Sequence, residues 1–221
     1  MVEHRTQPSS STLTSVFGYV PSTGEYKVLR ILWRKARTSD IQVYRVSSRY
    51  MPQVGGVAYF MLEPPLAPAE IELDGIASFD FATEEWRPTM IQGPLRKVIK
   101  YPTGLVSLQL AKLNDCLVTV HYNNQDVSRD LWFLEDVDKS LWTKRYSVRC
   151  ESGPLLDLHP MLVLDDGRVV FLVGQYLRSY DQRTSTWADL TMVGGYHSVR
   201  MHHGSLLYSG KHGAVVDAAG R

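Results

Sequence analysis

The stretch Leu131-Trp132-Phe133-Leu134-Glu135-Asp136-Val137-Asp138-Lys139-Ser140-Leu141-Trp142 reads as strand, acidic turn and returning strand. Two other stretches spell the same turn more regularly: Phe79-Asp80-Phe81-Ala82-Thr83-Glu84-Glu85-Trp86 and Tyr180-Asp181-Gln182-Arg183-Thr184-Ser185-Thr186-Trp187. Each runs aromatic, Asp, two residues, Thr, two residues, Trp. The central copy keeps Asp136 six residues before Trp142 but carries Lys139 at the Thr position. A weaker fourth copy, Tyr19-Val20-Pro21-Ser22-Thr23-Gly24-Glu25-Tyr26, has Val20 in place of Asp.

Asp and Thr hydrogen-bond nearby backbone, and Pro and Gly preset turn dihedrals, so each copy predicts a tight hairpin. The aromatic residue opens the returning strand, where it serves as a packing knob against a neighbouring sheet. Tyr26, Asp80, Thr83, Trp86, Asp136, Trp142, Asp181, Thr184 and Trp187 are therefore read as the structural repeat.

Working outward, residues 1–14 form a polar lead-in rich in Ser and Thr, expected to be flexible. A first unit spans about residues 16–50, with strands at 16–19, 26–33 and 41–46 in one small antiparallel sheet and a basic loop at 34–40. Gly55-Gly56 precedes residues 57–62, a strand apolar on both faces that suits the interior of a sheet stack. Pro64-Pro65-Leu66-Ala67-Pro68 cannot continue a ladder, and residues 76–87 close the second unit. The third unit offers strands at 105–110, 116–122, 130–134 and 142–148. The fourth has Asp165-Asp166-Gly167-Arg168 as a hairpin turn between 162–164 and 169–173, then 177–180. Residues 198–201 and 205–209 read as strands of a further, unfinished unit, and residues 211–221 as a flexible tail. No segment has a convincing helical period; the nearest is 105–113.

The closing Trp residues lie 56 residues apart (86 to 142) and 45 apart (142 to 187). Periods of ~40–50 residues with about four strands each are those of propeller blades. The expected fold is all-β, a kelch-like β-propeller or partial propeller of about four blades of antiparallel sheet, occupying residues 15–210. A stack with free ends leaves apolar surface uncovered, and the sequence favours a fragment over a closed ring.

Among 221 residues, 24 Lys and Arg face 23 Asp and Glu, a formal net charge of +1. That balance gives no reason to expect nucleic acid or an acidic membrane as partner. The longest apolar runs fall far short of the ~20 residues of a membrane helix. Cys116 and Cys150, the only cysteines, are too few for a disulfide scaffold. With no secretory signal at the N-terminus, the expected location is cytoplasm and/or nucleus.

An ordered set of motifs resembles the plant F-box associated domain, the kelch-like region that follows an F-box. It comprises Phe17-Gly18-Tyr19-Val20-Pro21-Ser22-Thr23-Gly24-Glu25-Tyr26-Lys27-Val28, residues 76–87, Asp130-Leu131-Trp132-Phe133-Leu134-Glu135-Asp136 with Lys139 and Trp142, and Leu177-Arg178-Ser179-Tyr180-Asp181. The resemblance covers about residues 16–190. Val20 and Tyr50 depart from the family pattern, which tends to place Asp and Trp there. What the resemblance implies is the substrate-recognition part of an SCF-type ubiquitin ligase receptor, whose F-box docks on the Skp adaptor while the β-rich region captures a protein. The short lead-in leaves no room for the F-box, so adaptor binding is expected only if an F-box is supplied upstream.

Catalytic signatures are missing from the sequence: there is no nucleophile elbow, no zinc-protease motif and no phosphate-binding glycine loop. His197, His202 and His203 lack Cys or carboxylate at metal-site spacing. Asp136 and Asp138 lack the Gly and terminal Glu of a calcium loop. The expectation is a non-catalytic protein-binding domain, neither an enzyme nor a cofactor or metal protein. The alternatives are a propeller-type enzyme with a loop-built site and a truncated product without independent function. Loop tips carrying Arg, aromatic and polar groups make most interface hot spots. On that ground Arg34, Lys35 and Arg37, together with His121, Tyr122, Asn123 and Asn124, are the candidate partner-binding residues.

Overall fold

A computed structural model describes residues 12–33, 45–46, 51–63, 75–95, 108–123, 126–149 and 158–194. These residues build four antiparallel sheets and no helix. The first sheet is β1 (Thr12–Val20) and β2 (Glu25–Trp33). The second holds β3 (Arg45–Val46), β4 (Gln53–Val54), β5 (Val57–Glu63), β6 (Gly75–Asp80), β7 (Glu85–Trp86) and β8 (Ile91–Gln92). The third is a meander of β9 (Leu108–Leu113), β10 (Cys116–Asn123), β11 (Ser128–Asp136) and β12 (Leu141–Arg149). The fourth repeats that meander with β13 (Leu158–Val163), β14 (Val169–Val173), β15 (Tyr176–Asp181) and β16 (Thr186–Met192).

The all-β expectation holds, and the third and fourth sheets each have the four strands of a blade. No closed ring of blades forms among the described residues. Three placements differ from the sequence reading. Strand β1 begins at Thr12, inside the stretch expected as a flexible lead-in, because Thr12, Leu13 and Thr14 pair with Trp33, Leu32 and Ile31 of β2. Arg45 and Val46 pair with Glu63 and Leu62 of β5, so this strand belongs to the second sheet and not to the first. The 105–113 segment, whose leucines suited helix or strand, is strand from Leu108 onward; pairing with β10 along its length satisfies its backbone, which no local period could foretell. The predicted strands at 198–201 and 205–209 lie outside the described residues.

Each pair of successive sheets shares one apolar cluster. Val16 and Val20 of the first sheet meet Ala58, Phe60, Phe79 and Phe81 of the second. Val57, Tyr59 and Met61 point the other way and meet Leu110 and Leu117 of the third. Strand β5 thus buries both faces, as its unbroken apolar run predicts. Leu113, Val118, Val120, Leu131 and Phe133 then meet Leu158, Val169, Phe171 and Tyr180 of the fourth sheet. The order of sheets in the stack follows the order in the chain.

The repeated turns explain how one motif tolerates different letters. Asp80 accepts the backbone N–H of Ala82 at 2.9 Å and that of Thr83. Asp181 does the same with Arg183 (2.9 Å) and Thr184, and Asp136 with Lys139 (3.1 Å) and Asp138. What the Thr position supplies to Asp is its backbone N–H, which Lys139 supplies equally well. The Lys139 ammonium also returns to Asp136 at 3.0 Å. Where Val20 replaces Asp, its own carbonyl accepts the N–H of Gly24 at 2.9 Å.

The last turn residue is left-handed in all four copies: Gly24 (φ 73°), Glu84 (60°), Ser140 (48°) and Ser185 (56°). Only Gly24 adopts that conformation without Cβ strain. Ser185→Gly is therefore expected to stabilise the protein by about 0.5–1 kcal/mol, measured as a rise in Tm. A fall in Tm would show that the serine side chain contributes more than its strain costs.

Polar bonds stitch neighbouring sheets at corresponding places. The Trp142 indole N–H donates to the Gln92 carbonyl of the preceding sheet at 2.8 Å, and that of Trp187 donates to the Arg149 carbonyl at 3.3 Å. Asn114 both donates to the Val163 carbonyl (2.9 Å) and accepts the Val163 N–H (3.1 Å). Lys27 reaches Glu84 at 2.7 Å across the first two sheets.

Candidate functional site

Two surfaces stand apart from this scaffold: the outer face of the first sheet and one half of a face of the third. In β1, Val16, Gly18 and Val20 turn inward, so Ser15, Phe17 and Tyr19 turn outward. Their cross-strand partners are Arg30, Val28 and Tyr26. Phe17 is 69% exposed and Tyr26 79%. Tyr19 and Tyr26 stack with ring centroids 5.1 Å apart. The result is a continuous aromatic face on a strand pair, with Arg30 at its margin.

The third sheet presents a different surface. On the side facing the second sheet its residues fall into cross-strand rows. Leu134 pairs with Trp142, and both pack with Leu117 on the second sheet. The next rows are polar: Leu110–Thr119–Trp132–Lys144, then Leu108–His121–Asp130–Ser147, then Asn123–Ser128–Arg149. Two register shifts, between Leu131 and Trp132 and between Leu134 and Asp136, bracket the Trp132–Lys144 pair and bring Lys144 beside Trp132.

Within these rows Asp130, 4% exposed, accepts from the Ser147 hydroxyl at 2.7 Å and from Lys144 Nζ at 3.3 Å. The same Lys144 ammonium lies 5.8 Å from the centre of the Trp132 ring. Thr119 Oγ1, Ser128 Oγ and Trp132 Nε1 are buried without a hydrogen-bond partner. On the opposing wall Ser78 Oγ is likewise unpaired.

Burial pushes the His121 imidazole below its ordinary pKa of 6.5; Asp130 pulls it up and Lys144 pushes it down. The folded state therefore favours neutral His121. Protons bind the unfolded chain first, so stability present above about pH 6.5 is lost as pH falls through the folded value. Carboxylates of the turns act at lower pH. Burial raises Asp80, but its bonds from Arg87, Ala82 and Thr83 bring the net shift below 3.8. Asp136 and Asp181 are lowered by their bonds from Lys139 and Arg183. Their contribution is lost only below about pH 4. Urea midpoints measured from pH 8 to 3 should thus fall in two stages, and His121→Gln should flatten the first. An unaltered first stage in that variant would assign it to another group.

The structure redistributes the sequence-derived candidates. Arg34, Lys35, Arg37 and Asn124 lie outside the described residues. His121 and Tyr122 do not lie at a loop tip; both are buried in β10. Strand alternation sends them to opposite faces, and Tyr122 packs under the Arg129 guanidinium at 5.2 Å. Asn123 ends the strand, its side-chain amide donating to Asp126 at 2.8 Å. Of that cluster His121 and Asn123 share a face with Asp130 and Ser128. Asp130, Trp132, Lys144 and Ser147 escaped sequence reading because only strand pairing brings them together. The visible signal was polar residues at alternate positions, Thr119, His121 and Asn123, in an otherwise apolar strand.

No protein-family model matches the chain, and no curated protein matches it. Among the described residues, no group of three or more His, Cys, Asp or Glu side chains could hold a metal ion. The described residues contain no helix, and so none long and apolar enough to cross a membrane.

Proposed function

We propose that the chain is a non-catalytic protein-binding module, related to the kelch-like substrate-recognition part of an SCF-type ubiquitin ligase receptor. One observation carries the binding function: the outward face of the first sheet, where Phe17, Tyr19, Tyr26 and Val28 form contiguous cross-strand pairs beside Arg30. Tyr, Phe and Arg are enriched at interface centres because each covers a large area with few rotamers to immobilise. The occupant that fits is an apolar segment of a protein partner laid across two strands whose backbone is already paired. The ligase role comes from the motif resemblance, and the corresponding partners are a protein substrate and, through an upstream F-box, the Skp adaptor.

The test compares the native chain with a Phe17→Ser/Tyr26→Ser variant for capture of proteins from plant-cell extract. Both substituted side chains are exposed, so the variant is expected to keep its Tm. A defined protein retained by the native chain and lost by the variant supports the reading. Equal capture by both chains overturns the assignment of the face. Self-association abolished by the same substitutions would assign the face to contacts between copies instead. Stoichiometric copper or zinc in the purified protein would overturn the non-catalytic reading.

A further inference from the structure

The outward face of the first sheet is open to solvent and carries a single charge. Glu25 and Lys27, the other ionic residues of β1 and β2, sit opposite the inward Val20 and Gly18, and Lys27 is paired with Glu84. Arg30 alone turns outward, opposite the small, exposed Ser15. Elsewhere Arg87, Arg145, Arg168, Arg178 and Arg183 each hold a carboxylate. Among the described residues none engages Arg30. The face is thus an apolar strip, formed by exposed Phe17, Tyr19, Tyr26 and Val28, with an unmatched cation at one end.

The dimensions of the strip select what covers it. Its cross-strand rows are Ser15–Arg30, Phe17–Val28 and Tyr19–Tyr26. Successive rows are about 6.8 Å apart, and two strands make a face about 10 Å wide. One helix has that diameter. Along a helix ridge of every fourth residue, which rises about 6 Å per step and is inclined by about 26°, side chains are about 6.7 Å apart. They therefore keep step with the rows. The face offers side chains only, because the ladder bonds between β1 and β2 lie in the plane of the sheet. An extended segment laid on it would leave its own backbone unpaired, whereas a helix bonds its main chain internally.

We propose that this face binds an amphipathic helix of the protein partner. A carboxylate on the helix meets Arg30, and bulky apolar side chains four and eight residues from it rest on the Phe17–Val28 and Tyr19–Tyr26 pairs. The inference rests on the protein-binding reading above and names the chemistry of the partner at that same face. The aromatic rows supply the buried area, and Arg30 at the rim sets which way along the strip the helix lies.

The experiment selects a phage-displayed library of random peptides about 16 residues long, enough for a helix to form on binding, against the full native chain, with counter-selection on Phe17→Ser/Tyr26→Ser. Recovered sequences are expected to carry Asp or Glu four and eight residues from bulky apolar residues, and the best of them, as a synthetic peptide, to gain helical circular dichroism on binding. Arg30→Glu, at an exposed position, should keep its Tm and weaken that peptide about tenfold. Exchanging the acid of the peptide for Lys should restore binding to Arg30→Glu and weaken binding to the native chain. A consensus without an acid, apolar residues at alternate positions with no helical signal, or no enrichment over the counter-selected variant overturns the inference. So does equal affinity for the native chain and Arg30→Glu. Sedimentation showing self-association of the native chain that Phe17→Ser/Tyr26→Ser abolishes would give the face to a second copy and overturn it as well. If the helix outcomes fail while Phe17→Ser/Tyr26→Ser still loses a protein captured from extract, this inference falls and the protein-binding reading stands; equal capture by both chains removes the reading itself.

Discussion

Gly18→Ala is expected to detach the first sheet from the stack. A Cβ at Gly18 would lie 2.3 Å from two atoms of the Phe81 ring and 2.4 Å from a third. Phe81 is buried and meets Phe79 edge-on at 5.4 Å, so the ring has no free space to turn into. Overpacking of this kind costs typically 1–3 kcal/mol, and a clash with a fixed ring belongs at about 3 kcal/mol. The sign is informative, since Ala is intrinsically the better strand residue and a local effect would stabilise by a fraction of that. Hydrogen exchange should show β1 and β2 losing protection while β9–β16 keep theirs. In a Phe81→Ala background the same substitution should cost little, a coupling that a double-mutant cycle reads directly. Equal costs in the two backgrounds would refute the contact as the cause.

Trp187→Ala should produce the second large loss, uncoupling the fourth sheet from the third. The ring packs against Tyr180 at 4.9 Å and Phe171 at 5.4 Å, with the Arg178 guanidinium 5.2 Å from its centre. Its N–H reaches Arg149 of the preceding sheet. Deleting a buried Trp side chain costs ~3–5 kcal/mol, and this half-buried one is expected near 3 kcal/mol. Trp187→Phe keeps most of the packing and forfeits the hydrogen bond, for about 1 kcal/mol. Urea unfolding of the two variants separates packing from polar stitching. Near-equal losses would mean that the bond to Arg149, and not ring packing, ties the sheets. Trp142 holds the corresponding place, with its N–H on Gln92, and Trp142→Ala should loosen the third sheet from the second in the same way.

These residues show how much could be read in advance. Trp86, Trp142 and Trp187 stand out from their place after each turn as packing knobs against a neighbouring sheet; Trp142 and Trp187 pack on the clusters shared between sheets, but the rings of Trp86 and Trp187 stack on aromatics of their own sheets. Trp86 does so against Phe60 and Phe79 at 5.2 and 5.4 Å while remaining half exposed. That the indoles of Trp142 and Trp187 also clasp the preceding sheet was not legible, because Gln92 and Arg149 carry no motif and contribute only a carbonyl. Gly18 reads as one letter of a motif; the ring it makes room for lies 63 residues later, in the next sheet.

The candidate site divides along the same line. The exposed aromatic face follows from alternation in residues 15–20 and from the hairpin at Pro21–Gly24, both local. The polar half-face does not. Thr119, Asp130, Lys144 and Ser147 come from three strands, and the two register shifts in β11–β12 that bracket the Trp132–Lys144 pair decide that Lys144 stands beside Trp132. His121, singled out as a loop residue, becomes a buried strand residue because β9 and β11 flank it on either side.

By itself the sequence determined the strands, the Asp-anchored turns and the all-β class, because side-chain alternation and turn hydrogen bonds act within a few residues. Only the tertiary structure decided which sheet received Arg45 and Val46, which carbonyls the tryptophans reach and which polar side chains share a face. Those outcomes depend on register and on packing between sheets, where contacts join residues tens of positions apart and no short-range pattern records them.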